Sequence, residues 1–159
     1  MTPVNVFEAD FRYDEDPEGY RCAEAFVAGQ RVGAAAGGRD LTVRLYEVPP
    51  GQAMCPYHYE YEEEWLLVLD GTVTLRTPEG EHELARGTLR AFASGPGGAH
   101  KVSCAGDRAA RVMMFSSARE PAMAVYPDSD KIGVWPPNRE DAIMVRRADG
   151  QVDYFEGEI

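Results

Sequence analysis

Glycine and proline interrupt this chain so often that long helices have little room. Sixteen glycines and eleven prolines fall among 159 residues, and they mark turns at short intervals. Between them lie short runs with period two or with continuous apolar character. Leu41, Val43 and Leu45 alternate with Thr42 and Arg44, and Val73 and Leu75 alternate with Thr72, Thr74 and Arg76. Residues 65–69 form an unbroken apolar run, the pattern of a strand covered on both faces. Further short runs follow at 82–84, 89–92, 100–104 and 111–115. Asp70-Gly71, Pro78-Glu79-Gly80, Gly87, the glycine-rich stretch 94–99 and Gly106-Asp107 supply the turns. Short strands at regular spacing predict an all-β sandwich or barrel.

The length fits one domain that buries its own core. Residues 41–116 are the expected barrel core. Residues 1–40 are expected as an N-terminal extension and 117–159 as a C-terminal extension packing on the barrel. Asp16 as N-cap and Pro17 at the first helical position suggest a helix over 17–28, although Gly19 weakens it. The stretch 121–137 is proline-rich and reads as irregular. Residues 143–145 and 152–155 flank the Ala148-Asp149-Gly150 turn as a final hairpin.

Sixteen basic residues against 27 acidic ones give a formal net charge of -11. That balance argues against a nucleic-acid partner, whose phosphates need a basic footprint, and against an anionic membrane surface. The run 65–69 is far too short to span a membrane. The opening MTPVNVFEAD lacks the basic and apolar regions of a signal peptide. Three cysteines, Cys22, Cys55 and Cys104, form no CxxC pair. A reduced, cytoplasmic setting is the expectation.

The acids at the two ends read as a solvated surface, but those at 60–64 sit in a different context. In an extended chain His58, Glu60, Glu62 and Glu64 share one face, and Tyr57, Tyr59, Tyr61 and Glu63 share the other. The simplest interpretation is an exposed acidic strand with an aromatic inner face. The other is a ligand cluster. His100 follows the glycine-rich turn at the start of a strand, and strands remote in sequence meet across the lumen of a small barrel, so His58 and His100 can converge there. Two imidazoles with Glu60 and Glu64 suit a divalent first-row metal, whose charge cancels the two carboxylates inside a barrel. Without the ion one carboxyl would hold a proton at a raised pKa. Glu62 or a tyrosine could act as acid or base. His82 reads as surface. Cys55, three residues before His58, and Cys104, four after His100, read as buried thiols, with Cys104 on the face of His100. The stretch 94–99 reads as a tight barrel corner, since no Lys-Ser/Thr follows to make a phosphate cradle.

Two motifs resemble those of the cupin superfamily. Gly51-QAMCPY-His58-Tyr59-Glu60-YEE-Glu64-WLLVLD-Gly71 is similar to its first motif, G-x5-H-x-H-x3,4-E-x6-G. Gly87-TLRAF-Ala93-Ser94-Gly95-PGGA-His100-KVS-Cys104 is loosely similar to its second, G-x5-P-x-G-x2-H-x3-N. The first carries one extra spacer before His58 and has Glu60 at the second histidine position. The second has Ala93 for proline, two extra residues before His100, and Cys104 for asparagine. The segment 56–71 and the tail Tyr126-Pro127-Asp128-Ser129-Asp130-Lys131 also resemble a subgroup of small single-domain cupins, some of them labelled sugar-phosphate isomerases.

The resemblance implies a double-stranded β-helix, a jelly-roll barrel that is often a homodimer. It also implies metal ligands at His58, Glu60, Glu64 and His100. Mn, Fe, Zn or Ni is the implied cofactor, with Mn or Fe favoured by the oxygen-rich set. The expected function is a metal-dependent enzyme acting on a small polar molecule by isomerase or oxygenase chemistry. The alternative is a non-catalytic cupin that binds a small ligand without metal. A structural protein with a vestigial pocket is a third, weaker reading.

Overall fold

The structure is a computed structural model and describes residues 3–158. Its strands in chain order are β1 (Asp10–Tyr13), β2 (Ala23–Val27), β3 (Gln30–Arg31), β4 (Leu41–Val48), β5 (Tyr59–Glu60), β6 (Glu64–Asp70), β7 (Thr72–Thr77), β8 (Gly80–Ala85), β9 (Leu89–Phe92), β10 (Lys101–Ser103), β11 (Ala110–Ser117), β12 (Ala122–Tyr126), β13 (Lys131–Trp135) and β14 (Ile143–Arg146). The larger sheet runs β1-β2-β4-β11-β6-β9, with β3 on β2. Opposite it lie the sheets β10-β7-β8 and β14-β13-β12-β5. The isolated antiparallel bridge His58–His100 links these smaller sheets into one wall, and Ala53–Ser103 pairs the preceding segment with β10. Val48, Leu66, Val68 and Val112 of the first wall meet Val73, Leu75 and Val102 of the second in the apolar core. This is a jelly-roll barrel: the turn spacing predicts an all-β sandwich or barrel, and the motif resemblance implies this form of it.

A change of polarity along three neighbouring strands makes room for a site. The inward residues of β4 are Thr42, Arg44, Tyr46 and Val48; those of β6 begin Glu64, Leu66, Val68; those of β11 end Val112, Met114, Ser116. Register aligns Thr42 with Ser116, and Ser116 with Glu64. One end of the barrel is therefore lined by hydroxyl and charged groups, and the other is closed by packed valine and leucine. Val43 and Leu45 of β4 point the other way. Leu45 is covered by Ala25 and Val32, and Gly33 lies so close that a Cβ there would meet the Val43 backbone at 2.9 Å. The alternation in β4 thus serves two layers, with its aliphatic side facing out beneath β2 and the helical turn Val32–Ala35.

Four local expectations change. No helix forms over 17–28: Gly19 turns at φ +90°, and Ala23 and Ala25 then alternate with Glu24 and Phe26 as β2. Their burial inside the larger sheet outweighs the proline cap. The stretch 121–137 is not irregular, because Pro121, Pro127, Pro136 and Pro137 bracket β12 and β13, where no ladder N–H is lost. The final hairpin does not form. β14 pairs with β13 instead. The Arg147 guanidinium and the Ala148 N–H then donate to the Asp130 carboxylate at 2.8 and 3.3 Å, holding 147–150 as a helical turn. The 65–69 strand is fully covered on one face only: Leu66 and Val68 are buried, while Trp65 stands at the surface. No helix is long and apolar enough to cross a membrane among the described residues.

Candidate metal centre

His58 and His100 are neighbours across one antiparallel pair. The His58 N–H donates to the His100 carbonyl at 3.0 Å, and the His100 N–H returns to His58 at 2.8 Å. Residues that exchange both bonds point their side chains to the same face, and the ring centroids lie 4.8 Å apart. The histidines therefore converge side by side in one wall, not across the lumen. The segment before β5 runs alongside β10, with Ala53 bridged to Ser103 and the Met54 N–H donating to the Val102 carbonyl, and this brings His58 beside His100.

Each imidazole is oriented in the same way. The Nδ1 atoms lie 3.0 Å from the Pro56 carbonyl and 2.9 Å from the Gly98 carbonyl, each two residues upstream. A carbonyl only accepts, so both Nδ1 atoms carry the proton and both Nε2 atoms keep a lone pair. Histidine metal ligands are commonly fixed in this tautomer by such a bond. Phe92 stacks on His100 at 3.8 Å, nearly parallel, and Tyr126 stacks on His58 at 5.8 Å.

Glu64 begins β6, opposite Phe92 in register. Its Oε2 lies 3.7 Å from His100 Nε2, too far for a hydrogen bond. The ligand atoms of His58, Glu64 and His100 all lie within 4.8 Å of one another. Glu60 lines the same cavity but stands outside this triplet. Glu62 also lines it, and its carboxylate accepts from the Ser117 hydroxyl. The cavity measures about 630 Å³.

Burial pushes the Glu64 carboxyl up to about 8, with Glu60 adding to the shift and Arg44 opposing it. Burial also raises Glu60, again against Arg44. Both histidines shift the other way: burial lowers His58, and burial with the nearby His58 takes His100 down to about 4. At neutral pH without an ion the imidazoles are neutral and Glu64 holds a proton. A divalent cation that displaces that proton meets two nitrogen lone pairs and a carboxylate, so the residues fit such an ion.

The remaining candidates fall into place around this centre. Cys55 lines the cavity with Sγ 3.6 Å from His58 Nδ1, but burial pushes its thiol up to about 12, so it is not a thiolate. Cys104 does not line the cavity. It is buried in the core, its thiol donating to the Arg108 carbonyl. His82 is exposed on β8. Tyr57 and Tyr59 pack with Ala99 and Val125 behind the acidic face. The residues that sequence reasoning passed over are Thr42, Arg44 and Ser116. The β4 alternation held the signal, since its polar members had to face somewhere.

Residues 44–116, just under half of the chain, match the Cupin domain family, and the fold around them is the one seen in the cupin superfamily. Solved structures of similar fold include a sugar phosphate isomerase of that superfamily from Silicibacter pomeroyi. It is 21% identical, with a TM-score of 0.78 over 96% of this chain and 98% of that one. A candidate sugar phosphate isomerase from Acidithiobacillus ferrooxidans is 22% identical, with a TM-score of 0.75 over 92% and 89% of the two chains. The polyketide cyclase RemF from Streptomyces resistomycificus is 17% identical, with a TM-score of 0.61 over 77% and 83%. Among curated proteins, none matches this chain.

Proposed function

We propose that this protein is a metal-dependent enzyme whose cavity takes a small polar molecule. The observation that carries it is the pair of Nδ1-anchored histidines presenting Nε2 toward Glu64 in a roomy polar cavity. A bound divalent transition metal would polarise a carbonyl or enediolate oxygen. His58, Glu64 and His100 would hold the ion, and the remaining polar wall, Glu60 included, would orient the substrate. Of the two chemistries the donor set allows, isomerisation has the support of the two relatives that align over nearly the whole chain and are named for it.

The first test is elemental analysis of protein purified without an affinity-metal step, beside His58→Ala and His100→Ala. About one divalent ion per chain, lost in both variants, is expected. No ion in the wild type, even after reconstitution with Mn, Fe, Zn or Ni, overturns the metal centre. Loaded protein is then given a panel of aldose and ketose phosphates, followed by proton NMR in D2O with an oxygen electrode alongside. Interconversion without oxygen uptake is expected. Oxygen uptake would move the chemistry to an oxygenase, and a thermal shift without turnover would make the protein a ligand-binding cupin.

A further inference from the structure

The geometry points to Arg44 as an oxyanion-binding residue on the cavity floor: the cavity is built for a small molecule carrying a carboxylate or phosphate. This names the substrate class of the proposed function and rests on that reading of the cavity. Arg44 projects inward from β4 between Thr42 and Tyr46, one two-residue step below the row that joins Thr42, Ser116 and Glu64. It lines the same cavity as His58, Glu64 and His100, in register with Met114, which in turn pairs with Leu66 two residues after Glu64.

Other arginines reach the cavity, but their circumstances differ. Arg31 is held by Glu24 at 3.1 Å and Arg139 by Glu120 at 3.2 Å. Arg119 is 80% exposed at the rim, with Glu62 at 3.9 Å. Arg44 is half-buried. It donates from Nη1 to the Tyr46 hydroxyl at 3.3 Å, and its Nε lies 3.8 Å from Glu24. Among the described residues its Nη2 makes no hydrogen bond. A guanidinium offers five donors in a planar fork that matches a carboxylate or phosphate edge. The Thr42 and Ser116 hydroxyls beside it supply further donors. An oxyanion on Arg44 would leave the rest of a small molecule directed toward His58, Glu64 and His100.

The test measures binding of glycolate, inorganic phosphate and the neutral analogue glycolamide by calorimetry. Wild type, Arg44→Gln and Arg44→Lys are compared, each metal-free and Mn-loaded, with metal content measured separately. At least a tenfold loss of oxyanion affinity in Arg44→Gln is expected. Partial recovery in Arg44→Lys, unchanged glycolamide binding and unchanged metal content should accompany it. The tighter of glycolate and phosphate tells a carboxylate from a phosphate ligand. Equal oxyanion affinity in wild type and Arg44→Gln overturns the inference, since the anion then sits on the metal alone. So does failure of wild type to bind either anion at 10 mM, roughly the weak end of useful affinities. If Arg44→Gln does not fold, the Arg44 Nε–H resonance of wild type decides: a shift on saturation supports the assignment and its absence refutes it. Arg44-dependent anion binding in protein that takes up no metal would keep this inference and sink the metal centre.

Discussion

The glycine-rich corner before His100 lends itself to a sharp comparison between adjacent residues. A Cβ on Gly98 would lie 2.8 Å from both the C and N atoms of Ala93, and closer still to the Ala93 carbonyl oxygen. A Cβ on Gly97 would meet nothing within 4 Å. The obstacle at Gly98 is backbone, and that backbone is pinned. Ser94 Oγ donates to the Tyr61 carbonyl at 2.8 Å, and the Gly95 N–H donates to the Glu60 carbonyl at 2.7 Å. Relief must therefore come from moving 97–99, which carries the Gly98 carbonyl away from His100 Nδ1. Overpacking of this kind costs about 1–3 kcal/mol, and the lost hydrogen bond adds about 1 kcal/mol.

Gly98→Ala is thus expected to destabilise the protein by about 3 kcal/mol, and Gly97→Ala by under about 0.5 kcal/mol. Urea unfolding followed by tryptophan fluorescence reads both. With a slope of about 2 kcal/mol per M, the Gly98→Ala midpoint drops by about 1.5 M and that of Gly97→Ala barely moves. Metal affinity should fall with the first variant only, since the Gly98 carbonyl fixes the His100 tautomer. Midpoints within about 0.3 M of each other, at the slope used here, would refute the crowding and the coupling to His100 together.

Two further outcomes follow from the titration of the site and from the packing of the core. The folded Glu64 value of about 8 lies above its unfolded one, so its contribution to stability is lost as pH rises through that window. His100, lowered to about 4, acts oppositely, its contribution being lost as pH falls from about 6.5. Between pH 6.5 and 8 Glu64 acts alone of the two, so metal-free protein should lose about 2 kcal/mol across that range, at about 1.4 kcal/mol per pH unit; in Glu64→Gln that loss should vanish, and an unchanged slope in urea titrations would place the pH dependence elsewhere. Leu66, fully buried where the two walls meet, should cost about 2–5 kcal/mol as Leu66→Ala, and a midpoint equal to wild type would show that the core is not packed as described.

Much of this was readable in the chain, and the misreadings have physical causes. The turn residues marked β6 to β11 because those strands are joined by tight hairpins and corners, whose geometry depends on a few local residues. The face shared by His58, Glu60, Glu62 and Glu64 was legible because all four line the cavity as period two requires. The outer strands were harder. β2 exists because Ala23 and Ala25 fill a small space beside β4, and that packing is set by residues twenty positions away. The β13–β14 pairing depends on Asp130 reaching forward to Arg147 and Ala148. The convergence of His58 and His100 was expected, but its route was not, because a single-bridge register leaves no periodic trace.

The step from polar to apolar along β4, β6 and β11 makes pocket depth a variable that evolution or design can adjust. Each pair of residues advances a strand by about 6.6 Å. Met114 and Leu66 occupy the first level beneath the polar row. Shortening the side chains at that level would lower the floor by one step and admit a longer guest, while the His58–His100 bridge in the opposite wall stayed where it is. Substrate length would then be set one step below Glu64 while both histidine ligands stayed in the opposite wall, which is one way a single barrel could accommodate many small molecules around one ion.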